Sequence, residues 1–294
     1  MHTNLLQYRG KRYFWIALAL LAFSLIVYWT EAADLPPNGG SWQGYTLGTI
    51  AALLIVWLAA LGIRKRSYRS TVGTVEGWVS AHVYLGMALL VIATLHCAFQ
   101  FGFNVHTLFY VLVAAVIISG FFGLFFYLSY PRRLAKVRAG RRRKQWLAEL
   151  NGLDARIRDL AQRCEARTRA VVESAVDRTS LGGGVLAQLS GADHSLVVDP
   201  GKATESVSLV GNPDQETVID YLASAVPRSG KRDEALVLQD LLSVFGRRRT
   251  VLRKLREDIR LQGWLSIWLY VHVPLTFAVL AALVVHVTTV FLYW

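Results

Sequence analysis

The chain alternates between long uncharged apolar runs and strongly polar stretches. Five runs stand out: Tyr13–Trp29, Gly44–Ile63, Trp78–Gly102, Thr107–Tyr130 and Trp264–Trp294. None contains Lys, Arg, Asp or Glu. Each is long enough to cross a hydrocarbon core about 30 Å thick at about 1.5 Å of rise per residue. Trp and Tyr sit at many of the ends, as expected of rings anchored at a bilayer interface. The pattern predicts an all-α membrane protein with five transmembrane helices. The predicted domains are 1–130 with helices one to four, a polar insertion at 131–263, and the fifth helix at 264–294.

The first run follows a basic start (Arg9, Lys11, Arg12), as a signal peptide would. Its length, and the weak cleavage candidate Glu31-Ala32-Ala33-Asp34, favour a retained helix. Within the insertion, 134–178 reads as a long polar helix interrupted near Gly140 and Gly152. Leu181-Gly182-Gly183-Gly184 breaks it. Ser195–Val198 and Ser206–Val210 read as short strands between turns, and Pro213–Val226 as a capped helix. Residues 233–262 read as a helix running into the fifth span. The expected insertion is a mainly helical hairpin with a small α/β cap. The glycine run fits neither phosphate-binding glycine pattern, and the segment is short for a flavin or NADH domain.

Composition and charge sharpen this picture. The chain is 54% hydrophobic yet carries a net charge of +12. Both hold at once if the apolar residues span a membrane and the charges lie outside it. Every Lys and Arg falls in one of three places: Arg9, Lys11 and Arg12; Arg64, Lys65, Arg66 and Arg69; or between Pro131 and Gly263. Basic residues stay on the cytoplasmic side. The expected location is a bacterial-type inner membrane, with the N-terminus and 131–263 cytoplasmic and residue 294 outside. The cluster Arg132–Lys144 then stops transfer and faces anionic lipid headgroups, which leaves no call for nucleic acid. Cys97 and Cys164 lie in different segments, so no disulfide is expected. No Cys-x-x-Cys-His occurs, so a haem would be held non-covalently.

The histidines carry the candidate chemistry. His82 and His96 lie in the third run, His272 and His286 in the fifth, and each pair is 14 residues apart. On a helix that is about 21 Å of rise and about 40° short of four full turns. Both rings of a pair therefore share one face at two depths. The third and fifth spans run in the same direction, so His82 is expected opposite His272 and His96 opposite His286. Ionisable groups at membrane depth are costly and normally have a functional partner. Zinc or copper would want three or four ligands at one depth. Two neutral imidazoles per depth suit axial ligation of a haem iron. His106 reads as a helix–helix or interfacial group, and His2 and His194 as solvated. Cys97 points about 100° away from His96 and reads as a packing residue.

This pattern resembles the di-haem core of the cytochrome b family, and also ferric-reductase-like transmembrane cytochromes. The resemblance covers roughly Gly44–Tyr130 plus Trp264–Trp294. It implies that spans two to five form a four-helix bundle around two haem b groups, with span one an addition. Gly48 and Gly62, also 14 apart, would let the second helix pass close to each macrocycle, and Gly86, Gly120 and Gly123 could act similarly. Arg64, Lys65, Arg66 and Arg69 would lie within reach of the cytoplasmic-side haem propionates. No Pro-Glu-Trp-Tyr-like quinol motif is present, and 131–263 is far longer than a helix connection. The leading expectation is transmembrane electron transfer through two bis-histidine haems, as the membrane subunit of a quinone-linked oxidoreductase complex. Its partners would be lipid, other redox subunits and quinone. The alternatives are a stand-alone transmembrane metal or oxygen reductase, and a non-redox membrane scaffold or sensor.

Overall fold

The computed structural model describes residues 7–31, 39–67, 72–138, 140–202, 208–229 and 232–292. It divides into two compact units, Met1–Phe126 with Trp268–Trp294, and Tyr127–Ile267.

The first unit contains α1 (Arg12–Glu31), α2 (Trp42–Arg66), α3 (Val75–His96), the first part of α4 (Val105–Arg138) and the last part of α9 (Arg232–Leu292). Five helices are long and apolar enough to cross a membrane. Their outward faces carry exposed large apolar side chains, among them Leu53, Phe122, Phe277 and Val284. Water would oppose such a surface, whereas lipid accepts it. Polar caps start the helices. Ser41 Oγ accepts from Gly44 N at 3.0 Å, Thr74 Oγ1 from Gly77 N at 3.1 Å, and Asn104 Oδ1 from Thr107 N at 2.8 Å.

The core of this unit follows helical stripes. Leu47, Ala51, Ile55 and Leu58 of α2 pack with Ala81, Leu85, Ala88, Ile92 and Leu95 of α3. The α3 positions advance by alternating steps of four and three, which is a heptad pattern. Helices packed in heptads wind at about 3.5 residues per turn, so 14 residues make about four whole turns. Such winding would reduce the small angular offset expected for His82 and His96 on a straight helix. Leu89 of α3 and Val279 of α9 are buried in the same core, each midway between the two histidines of its helix.

The third apolar run continues to Gly102, but α3 ends at His96. Ala98 and Phe99 adopt left-handed conformations with φ 47° and 59°, and a helix cannot pass through them. His96 is thus the last residue of α3.

The second unit contains α5 (Arg143–Ala161), α6 (Ala166–Asp177), α7 (Val185–Ser190), β1 (Leu196–Val198), β2 (Leu209–Gly211) and α8 (Glu216–Ala225), with the first part of α9. β1 and β2 pair antiparallel, Val197 opposite Val210. Residues 206–207 of the expected second strand lie outside the described residues. Two details depart from the sequence reading. Gly152 does not interrupt α5; a helical glycine costs only about 1 kcal/mol relative to Ala. The break comes instead at 162–165, where the Arg169 guanidinium bonds the Ala161, Gln162 and Cys164 carbonyls left over at the helix end. The expected helix at Pro213–Val226 becomes regular only from Glu216, because Asp214 and Gln215 both take positive φ, outside the right-handed helical region.

The core of the second unit joins Ile157, Val171, Val172, Val197, Val218, Leu222, Leu241 and Phe245. Arg248, only 1% exposed, crosses this unit to bond Asp154, Thr179 and Gln215. A buried guanidinium is tolerable only with such partners. Cys97 and Cys164 are free thiols. Burial pushes the Cys164 thiol up from its ordinary value, as expected of a packed, unreactive cysteine.

Candidate haem-ligand pairs

α3 and the membrane part of α9 bring the four histidines into two facing couples. His82 and His272 have ring centres 6.4 Å apart with planes at 65°. His96 and His286 have ring centres 6.1 Å apart with planes at 85°. This pairing, rather than the crossed one, requires the two segments to run in the same direction. A directly hydrogen-bonded pair in the same unit gives a scale. His106 and His286 bond through Nδ1 at 2.8 Å, and their ring centres are only 4.8 Å apart. The two facing couples are wider by more than an ångström.

That extra width matches one bridging atom. Imidazole–metal bonds run at about 2.0 Å, and a ring nitrogen lies about 1.1 Å from its ring centre, so two imidazoles sharing one metal would stand about 6 Å apart.

Each of the four rings uses Nδ1 for a separate contact. His82 Nδ1 lies 3.2 Å from the Leu58 carbonyl, and His96 Nδ1 lies 2.8 Å from the Gly44 carbonyl. A carbonyl only accepts, so both rings donate there. His272 Nδ1 lies 2.7 Å from Ser119 Oγ, whose own proton goes to the Val116 carbonyl. That hydroxyl accepts as well. Three rings are thereby set to the tautomer with a bare Nε2, the form that binds a metal. His286 reaches the same form when it donates to His106.

Two helices supply these partners. α2 offers the Gly44 and Leu58 carbonyls, which are 14 residues apart like the rings they serve. α4 offers His106 and Ser119. The carbonyls were not legible in the sequence, because any residue can present one. Ser119 carried no signal either. The expected helix–helix role of His106 takes the specific form of a bond to His286.

The glycines divide sharply. A Cβ on Gly48 would stand 2.8 Å from His96 Cε1 and 3.0 Å from its Nδ1. Gly48 therefore makes room for the imidazole itself, a use distinct from the expected close approach to a macrocycle. A Cβ on Gly62 meets nothing within 4 Å, and Gly62 is exposed. Gly86 likewise borders open space, and a Cβ on Gly120 would stand 3.7 Å from His272 Cε1. Gly123 seats Trp268, whose Cζ2 would lie 2.1 Å from an added Cβ. Trp268 donates to the Ser119 carbonyl at 2.8 Å and lies against His272, ring centres 5.3 Å apart.

The basic residues at the end of α2 behave differently from one another. Arg64 closes the turn into α3, bonding the Ser67, Val72 and Gly73 carbonyls, so its guanidinium serves that turn and not an open face. Arg66 is exposed. Arg69 and His2 lie outside the described residues, and His194 is exposed. Among the described residues, no three of His, Cys, Asp or Glu converge as a metal-ion site. The donor sets are couples, which suit a metal that brings its other ligands with it. Comparisons with protein-family models, with curated proteins and with solved structures return no match for this chain.

Proposed function

We propose that the chain is a membrane cytochrome holding two b-type haems, one between His82 and His272 and one between His96 and His286. One observation supports this most. Two imidazole couples stand at iron-bridging separation, and every ring has its Nδ1 engaged elsewhere. The resemblance to cytochrome b helices points the same way. A haem held by two imidazoles would supply one-electron transfer.

The chain's own residues do the rest. The α2 carbonyls and the α4 side chains orient the four imidazoles and keep each Nε2 bare. Leu89 and Val279 separate the two sites, whose ligands differ by about 21 Å in helix rise. Lys65 and Arg66, exposed at the end of α2, are the residues proposed to meet propionates of the His82–His272 haem; Arg64 is committed to its turn. By the distribution of Lys and Arg, residues 131–263 face the cytoplasm. The proposed role is the membrane subunit of a quinone-linked oxidoreductase complex. The second unit, with no phosphate-binding glycine loop of its own, is proposed to dock a partner subunit.

A dithionite-reduced minus oxidised spectrum of the purified protein tests the haem. A b-type difference spectrum is expected, and a colourless preparation made with ample haem would reject it. Addition of a short-chain quinol tests the substrate. Haem reduction by quinol is expected; haem that dithionite reduces but quinol does not would remove the quinone assignment.

A further inference from the structure

Within the second unit, α7 is a single short helix that leaves its apolar side chains uncovered. Leu186 is 83% exposed and Val185 65%. The helix is well anchored nonetheless. Gly191 ends it in a left-handed conformation with φ 70°, its amide bonding the Ala187 carbonyl at 3.0 Å. Leu189 sits on α9: its carbonyl accepts from Trp264 Nε1 at 3.2 Å, and its Cδ2 lies 3.3 Å from where a Gly263 Cβ would be. Residues three and four apart on a helix are neighbours, so Val185 and Leu186 lie beside Leu189.

The position of that anchor is informative. Trp264 is the first residue of the uncharged run that ends α9, whereas the two preceding turns hold Arg260 and Asp258. The change from charged to apolar marks the bilayer boundary, and Trp prefers that level. Two large apolar side chains are thereby held beside this level, where burial in the acyl boundary removes them from water. Arg260 stands beside Gly191, its Cδ 3.1 Å from an added Cβ there, and supplies a cation at phosphate level.

We propose that α7 is a lipid-contacting foot: Val185 and Leu186 enter the headgroup–acyl boundary of the leaflet on the side of the second unit. This rests on the run beginning at Trp264 crossing a bilayer, not on haem.

The test places a nitroxide on the full-length chain in lipid nanodiscs, with Cys97 and Cys164 replaced by Ala. Leu186→Cys is compared with Val284→Cys in mid-run and with Gln239→Cys on the exposed polar part of α9. Collision with oxygen reports lipid, and collision with a water-soluble nickel chelate reports water. Leu186 is expected to resemble Val284, oxygen-rich and several-fold poorer in nickel contact than Gln239. If Val284 lies in lipid while Leu186 meets nickel as Gln239 does, α7 faces water or another protein and the proposal is overturned. If Val284 itself meets nickel freely, the membrane reading beneath it fails instead.

Discussion

The two histidine couples are built from the same helices yet supported differently. Around His82 and His272, the Nδ1 partners are a carbonyl (Leu58) and a hydroxyl (Ser119). Around His96 and His286 they are a carbonyl (Gly44) and a second imidazole (His106). The glycines differ too, since Gly48 is pressed against His96 and Gly62 against nothing. The repeat of 14 residues therefore specifies where the rings stand, and local packing decides how firmly each is held. His82 lies inside α3, whereas His96 is its final residue and leans on Gly44 and Gly48 of α2. The His96–His286 couple depends more on its neighbours.

The largest expected effect comes from removing a ring. His82→Ala or His272→Ala should abolish one haem and spare the other, and His96→Ala or His286→Ala should do the reverse. Pyridine haemochrome content would fall by half in each variant. Retention of both haems in all four would sink the pairing.

Next in size is the contrast between the glycines. Gly48→Ala forces a Cβ into the His96 ring, and overpacking of this kind costs roughly 1–3 kcal/mol. Loss of the His96–His286 haem is expected, with the other kept. Gly62→Ala should leave the spectrum of both unchanged. Equal behaviour of the two variants would show that Gly48 has no special role.

The Nδ1 partners should give smaller, site-specific effects. Removing such a partner typically weakens metal binding about 10–100-fold. Ser119→Ala should act on the His82–His272 haem and His106→Ala on the His96–His286 haem, each read as faster haem transfer to apomyoglobin and a shifted midpoint potential. Ser119→Thr, which keeps the hydroxyl, should restore the first. A shift at the wrong couple would break the assignment of partners.

The smallest effect on either couple is expected from Arg248→Met in the second unit. Asp154 loses its buried cation, and breaking such a pair costs about 3–5 kcal/mol. The urea midpoint of the second unit, followed by far-ultraviolet dichroism, should drop while the haem spectrum stays unchanged.

Much of the first unit was legible because membrane spans must be long and uncharged, and because four imidazoles in such spans stand out against their surroundings. The ends of α3 were less legible. Ala98 and Phe99 turn the chain without Gly or Pro, so nothing in the residue types marked His96 as terminal. The orienting contacts were hidden for a different reason: two are backbone carbonyls and one is a serine among many. In the second unit, Gly152 misled because α5 is held by packing of Trp146, Leu150 and Ile157, which outweighs a weak local preference. The stop at 162–165 depends on Arg169, whose role needs the chain already folded back on itself.

The most direct measurement is haem per chain in the purified full-length protein, with electron paramagnetic resonance of the oxidised form. Two haems per chain with low-spin signals of bis-imidazole iron are the expected result. One haem, none, or a high-spin iron with an open position would contradict the two-couple account.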